Sequence, residues 1–363
     1  MSPDSTAVRI HTCRPQDLSE AALEAMVRQH LALDHELGKD DPPRLPADVA
    51  GMLRRGWGPP WVQGYALAWE GERLLGQATW SRDTVTNPDV LWLDAVVDPA
   101  WRRQGLARRL LTACLREVEA EAGRMRTLNF SLAPTRSAIG AQLRRQVEEA
   151  WGLKTALLER RSRLDLRAVD RPRVAADLAR RWAALRQDFD LVFFPMADLE
   201  SVADRLDAAA FVEAVNEIEG LMPLDGLDQV PETFDRARLD AQAALQAARG
   251  RLLWNLAVVE RATGRCAGYT NISFKPDHPA LVSQWGTGVV SACQGRSLGK
   301  LLKLAMLDRV LEQLPGARYI ETNNAAINAS MIAINDSLGF REYTLCPCYQ
   351  ADRDVLLGWL GLG

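Results

Sequence analysis

Arg102-Arg103-Gln104-Gly105-Leu106-Ala107 sets two arginines, a glutamine and a glycine directly before an amphipathic helical pattern. Residues 93–111 read as an apolar strand, a basic turn and a helix. The strand stops at Val96-Val97-Asp98-Pro99, where proline brings no N–H to a ladder. A loop of this form leaves several backbone N–H groups unpaired and aimed one way at a helix N-terminus, which suits a phosphate or pyrophosphate. Gly105 permits close backbone approach, and Arg108 and Arg109 add positive charge. Taken alone, the segment could equally be a surface helix with a solvated basic face.

Residues 284–307 repeat the plan. Gln294, Gly295, Arg296, Ser297, Leu298 and Gly299 fit the same R/Q-x-x-G-x-G/A spacing, with Ser297 where Gly105 stood and Arg296 and Lys300 as the local charges. The separation is slightly more than half the chain, which indicates a domain duplication and is too long for a solenoid repeat.

Both loops resemble the pyrophosphate-binding loop of the GNAT superfamily of acyl-CoA-dependent N-acyltransferases. Residues 320–340 add Asn328, Met331, Asn335, Leu338, Gly339 and Phe340 in the spacing N-x-x-M-x-x-x-N-x-x-L-G-F, and Gln284, Trp285, Thr287 and Val289 form QW-x-T-x-V. Trp151-Gly152-Leu153 and residues 159–166 resemble the closing strands of the same fold. Together these are similar to a tandem GNAT family of actinobacteria and related bacteria. The resemblance implies acetyl-CoA as acyl-donor cosubstrate. Its binding set would be Ala95, Val96, Val97, Arg102, Arg103, Gln104, Gly105, Leu106, Ala107 and Arg108 in the first copy. In the second it would be Val289, Gln294, Gly295, Arg296, Ser297, Leu298, Gly299 and Lys300, with Asn324 and Asn328 near the cofactor or capping the next helix.

Direct acyl transfer to an amine needs an anchored pyrophosphate, a donor to the thioester oxygen, a proton acceptor and a way to accommodate the leaving thiolate. The acceptor is needed because an alkylammonium has a pKa of about 10. Asp94, among Leu93, Ala95 and Val96, is the leading general base, since burial would raise its pKa into a useful range. In the second copy the family often has an acidic residue after Gln-Trp; here Gly286 stands there, and Glu321 is the substitute through a water. The tyrosine that many GNAT enzymes place near the sulfur falls on Glu148 in the first copy and Asn335 in the second. Residues 133–143 contain no asparagine to match Asn328. Each half therefore lacks something the other has.

The 363 residues are 47% hydrophobic and 25% charged with net charge −3, values of a globular protein with core enough for two domains. That balance argues against wholesale nucleic-acid binding. No apolar run approaches a membrane span, and the N-terminus lacks a signal-peptide pattern, so a cytoplasmic location is expected. Six cysteines without a CxxC pair, and four histidines, argue against a metal site. Cys293 in the second loop could be a nucleophile or simply a small loop residue.

The elements that must position these residues follow from periodicity. Strands are expected at 7–10, 65–70, 73–83, 90–97, 126–132 and 157–166, with helices at 18–37, 105–122 and 144–151. Asp170-Arg171-Pro172 reads as a linker. The second half is expected to have helices between 174 and 250, strands at 252–260 and 266–274, and an acidic loop at 221–232 over the acceptor side. The fold class is α/β with an α+β mixed sheet: two tandem GNAT-like domains, 1–168 and 173–363, each sheet splitting between its fourth and fifth strands. The expected function is N-acetyl transfer to a small-molecule amine by a monomer or homodimer, without nucleic-acid or membrane partners. A non-catalytic acyl-CoA-binding or scaffold protein and a protein N-acetyltransferase are the alternatives.

Overall fold

Alternating apolar positions and turn glycines set most of the strands. A computed structural model describes residues 8–38, 41–131, 138–150 and 152–361. Its strands are β1 Arg9–Cys13, β2 Trp61–Glu70, β3 Arg73–Asp83, β4 Val90–Val97, β5 Thr127–Ser131 and β6 Thr155–Asp165. They continue as β7 Phe189–Pro195, β8 Leu252–Glu260, β9 Cys266–Phe274, β10 Leu281–Val289, β11 Tyr319–Ala325 and β12 Arg341–Asp352. The helices are α1 Glu20–Glu36, α2 Pro46–Arg55, α3 Leu106–Ala122, α4 Ala138–Arg145 and α5 Arg171–Leu185. They continue as α6 Ala208–Gly220, α7 Arg236–Ala248, α8 Leu298–Gln313, α9 Ala329–Ser337 and α10 Arg353–Leu360.

The chain divides into two units that differ from the linear halves 1–168 and 173–363. One takes Met1–Leu158, Gly226–Val230 and Cys346–Gly363; the other takes Glu159–Asp225 and Pro231–Leu345. In the first unit the strand order is β1-β2-β3-β4-β5 followed by the end of β12, where Cys348–Asp352 pairs antiparallel with β5. In the second it is β7-β8-β9-β10-β11 followed by Glu159–Asp165 of β6, antiparallel to β11. The two plans are the same, and in each the sixth strand comes from the other half of the sequence.

Both sheets are antiparallel except at one place. β4 runs parallel to β5 from Val90↔Thr127 to Leu93↔Phe130, and β10 runs parallel to β11 from Leu281↔Tyr319 to Gln284↔Thr322. Past Leu93, β4 pairs only with β3, up to Gly76↔Val97; past Gln284, β10 pairs only with β9, up to Gly268↔Val289. Each sheet therefore opens on one side of the strand that leads into the basic loop.

A helix packs beneath each opening. Leu106, Leu110, Cys114, Leu115 and Val118 of α3 are buried against Leu91, Leu93 and Ala78, an apolar stripe at helical spacing. Fully burying one such leucine stabilises by about 1.5–3 kcal/mol. In the second unit α8 is buried on most sides, from Leu298 through Leu311.

Several expectations are corrected. Asp170 is the N-cap of α5, accepting the Arg173 N–H at 3.0 Å, with Pro172 in the first turn, so this segment starts a helix. β7 lies in a region read as helical only, because Phe189–Pro195 is a short apolar run whose partner β8 is distant in sequence. β1 begins at Arg9 where a strand over 7–10 was expected; Ala7, Leu132 and Trp151 lie outside the described residues. The short helix expected at 144–151 is the end of α4 and a π-turn over Gln146–Ala150. Gly226–Val230, within the acidic loop, belongs to the first unit. Its Val230 exchanges two hydrogen bonds with Asn87, and Asp228 pairs with Arg126, all at the starts of β4 and β5. That is the opposite end of these strands from the loop.

Candidate functional site

The two basic loops have the same backbone. Arg103 (φ 62°) and Gly105 (φ 76°) are left-handed in the first; Gly295 (φ 76°) and Ser297 (φ 62°) are left-handed in the second. Each loop has glycine at one of the two strained positions and an L-residue at the other. Such a residue costs about 1–2 kcal/mol, and turning the chain this way aims successive N–H groups into one concavity. Among the described residues, the N–H groups of Arg103 to Arg108 meet no protein acceptor until Arg109 closes on Gly105; those of Gly295 to Lys300 meet none until Leu301 closes on Ser297. Six consecutive donors stand open at each helix start. Hydrogen bonds to a charged oxygen contribute about 1.5–3 kcal/mol each, so these donors fit a pyrophosphate whatever the nearby side chains do.

The side chains differ between the loops. In the first, Arg102 forms a fork on Glu36 of α1, with two contacts of 2.6 Å, and donates to the Val97 carbonyl at 3.0 Å. The Arg102 hydrogen bonds hold the Glu36 carboxyl below its ordinary pKa. Gln104 reaches back to the Ala100 carbonyl at 2.9 Å. Arg103 and Arg108 are exposed and have no ion-pair partner among the described residues. In the second, Arg296 is bound to Asp188 at 2.8 Å and lies over Phe189, and Lys300 faces Asp177 at 3.7 Å. Gln294 contacts the Val289 carbonyl at 3.4 Å. Leu106 and Leu298 are buried at the helix starts; Ala107 is exposed, and a Cβ on Gly299 would lie 3.5 Å from Ile334.

A cleft of about 570 Å³ lies beside the first loop, lined by Gln29, His35 and Glu36 of α1, Val96 and Val97 of β4, and Arg102 among others. Ala95 stands on β4 short of that lining, opposite Ala78 of β3.

The catalytic candidates do not sit as the sequence suggested. Asp94 is exposed, and its carboxylate accepts the N–H of Ala95 at 2.8 Å. The desolvation expected for it is absent, because strand alternation turns it to the face opposite Leu91 and Leu93. It is not among the cleft-lining residues. Glu321 is bound to Arg163, opposite it on β6, at 2.7 and 3.1 Å, and Arg163 stacks on Tyr343 at 3.8 Å. Glu321 also pairs with Ser283, below the point where β10 and β11 part. Asn328 caps α9 through the Met331 N–H at 3.2 Å, and Asn324 accepts from Asn335 at 2.8 Å. Cys293 is buried, which pushes its thiol pKa up and withholds the thiolate.

Several polar groups at these positions come from distant segments. Tyr349 of β12 donates to Glu148 at 2.9 Å. In the second unit, Tyr269 of β9 donates to Glu219, near the end of α6, at 3.3 Å. Lys303 of α8, 2% exposed, donates to Gln284 at 2.9 Å; Gln284 donates to Thr270, whose hydroxyl meets Thr287 at 2.7 Å. Gly286, the small residue that follows Gln284-Trp285, was the one local hint. Among the described residues no three His, Cys, Asp or Glu side chains group as a metal site, and no helix is long and apolar enough to cross a membrane.

Comparisons with known proteins agree with this geometry. The sequence model of the Acetyltransferase (GNAT) family matches residues 25–140. A tandem GNAT protein from the clavulanic acid biosynthesis pathway is 24% identical over 95% of this chain and 98% of its own, with TM-score 0.69. A GCN5-related N-acetyltransferase from Sphaerobacter thermophilus is 15% identical over 94% of this chain and 95% of its own, with TM-score 0.62. No curated protein matches the chain.

Proposed function

We propose that this chain, whose residues 25–140 match the Acetyltransferase (GNAT) family model and whose fold is similar to that of a tandem GNAT protein, is an acyl-CoA-dependent N-acyltransferase that transfers acetyl directly from acetyl-CoA to the amine of a small molecule. The observation that carries this reading is the row of six open N–H groups at each loop, beside a strand parted from its neighbour. Gly105 to Arg108 and Ser297 to Lys300 hold the pyrophosphate. Arg103 and Arg108 strengthen the first site, while exposed ion pairs of the kind made by Arg296 contribute at most about 1 kcal/mol. The unpaired edge of β4 beyond Leu93, at Ala95 to Val97, and of β10 near Val289 offers backbone N–H groups to polarise the thioester carbonyl.

The cleft beside Arg102 supports a small acceptor, since its volume lies in the range of small-molecule sites, about 300–1,000 Å³. Holding donor and acceptor together supplies much of the rate without a covalent enzyme intermediate. The test is thiol release from acetyl-CoA across a panel of primary amines, with calorimetry of acetyl-CoA on wild type, Gly105→Glu and Ser297→Glu. Each substitution sets a carboxylate in an anion site and should remove one binding event. Unchanged binding in both variants would dismiss these loops, and no turnover with any amine would dismiss N-acyl transfer.

A further inference from the structure

The last turn of α6 lies on β10 at the point where that strand leaves β11. A Cβ on Gly288 would fall 2.2 Å from Ile218, and one on Gly286 would fall 2.6 Å from the Tyr269 hydroxyl. Two glycines on β10 thus admit two side chains from elsewhere. β10 also bulges here: Gln284 pairs with Ile272 but Thr287 with Thr270, leaving one extra residue at Trp285 and Gly286. A bulge ends regular pairing and re-aims the strand. The β10–β11 pairing stops at Gln284, so bulge and opening coincide. β4 carries no such shift against β3.

Glu219 is partly exposed there, and its carboxylate accepts the Tyr269 hydroxyl at 3.3 Å. Tyr269 is itself buried and packs edge-on against Phe211 of α6, with centroids 5.6 Å apart, so its hydroxyl is fixed in place. The charged groups facing Glu219 are Glu232 and Arg238, which are paired with each other. Burial, and less strongly the Glu232 charge, pushes the Glu219 carboxyl above its ordinary range, while the Tyr269 hydrogen bond and Arg238 pull it back.

We propose that Glu219, held by Tyr269 at the β10 bulge, is the proton acceptor of an acyl-transfer centre in the second unit. The inference rests on the acyl-transfer reading above. It fills with a residue from α6 the acidic role that Gly286 leaves open. Glu219 takes one proton from the substrate ammonium and later returns it to solvent. The freed nitrogen lone pair forms the C–N bond to the thioester carbonyl carbon. The C–S bond breaks with its electron pair on sulfur, and a second nitrogen proton passes to the thiolate, giving amide and thiol.

The experiment uses the full chain carrying Gly105→Glu, which closes the first loop, with acetyl-CoA and an amine that wild type acetylates. Residual turnover is expected, and adding Glu219→Gln should lower it about 10²–10⁴-fold with the acid limb of the pH profile lost. Tyr269→Phe removes the hydrogen bond that holds the Glu219 pKa down, so its acid limb should move to higher pH. That second variant carries the test if Glu219→Gln does not fold. Gly105→Glu without any residual turnover, or Glu219→Gln and Tyr269→Phe with unchanged profiles, would overturn the inference while wild-type activity keeps the acyl-transfer reading. A wild type inactive on every amine would overturn both.

Discussion

The Tyr349 hydroxyl donates to the Glu148 carboxylate at 2.9 Å, bringing a residue of β12 to the site where sequence spacing called for a tyrosine and found glutamate. The exchange of sixth strands is what makes this possible. Tyr349 is fully buried and stacked on Phe130, with centroids 5.4 Å apart. Burial raises the Tyr349 pKa to about 12, so the hydroxyl stays a donor throughout the neutral range.

Tyr349→Phe keeps the stacked ring and removes that donor. It should lower unfolding stability by about 1–2 kcal/mol. Burial pushes the Glu148 pKa up, but hydrogen bonds from Arg144 and Tyr349 outweigh it and leave the carboxyl below its ordinary value. A carboxylate whose folded pKa is depressed contributes stability above its unfolded pKa and loses it as pH falls through the folded one. The difference between wild type and Tyr349→Phe should therefore be full at pH 7 and shrink on acidification below the carboxylate range. Urea midpoints at several pH values check this; an equal difference at all of them would refute it.

The two loops predict opposite outcomes for reciprocal changes. A Cβ at Gly105 meets nothing within 4 Å, so Gly105→Ser costs only backbone strain, about 1 kcal/mol, and should retain acetyl-CoA binding as measured by calorimetry. Ser297→Gly relieves the same strain at φ 62°, partly offset by greater freedom of the unfolded chain, and should raise stability by about 1 kcal/mol or less. Loss of binding in Gly105→Ser would mean that the side chain, and not the charge, excludes the ligand.

Local pattern was enough for much of the framework and little of the chemistry. β3, β4, β8 and β9 fall on the expected bounds because alternation and the Gly71 and Gly264 turns are local. The loops were readable because their N–H groups are presented by contiguous residues. The sixth-strand exchange was not, since the partners Tyr349 and Phe130 are far apart in sequence. Glu219 and Tyr269 meet only through the packing of α6 on β9 and β10. The burial expected of Asp94 failed on a single step of strand alternation.

Glu321 shows the same limit from the other side. A carboxylate at the right strand looked catalytic, yet its Oε2 accepts two hydrogen bonds from Arg163. Glu321→Gln should lower stability by about 1–3 kcal/mol by removing the negative charge that accepts the Arg163 hydrogen bonds, while turnover per folded molecule stays within a few-fold of wild type. Thermal unfolding and steady-state rates on the same preparation separate the two. A hundredfold loss of turnover with unchanged stability would return Glu321 to the catalytic machinery.

Lys303 gives the sharpest pH signature. Its ammonium position is enclosed by α8 and β10, bonded to Gln284 and 5.5 Å from the Phe340 ring centroid. Burial lowers its pKa to about 7. The unfolded chain, with a lysine pKa of about 10.4, then binds more protons than the folded chain between those values, so stability must rise with pH across that window. The gain is on the order of 5 kcal/mol, taking about 1.4 kcal/mol per pKa step. Lys303→Met preserves most of the volume and removes the titration, at a cost of about 1–3 kcal/mol for an unpaired Gln284 oxygen. The methionine variant should therefore be the more stable protein at pH 6 and the less stable one at pH 10. Denaturant midpoints measured over that range should cross; parallel curves would show that Lys303 reaches solvent when charged.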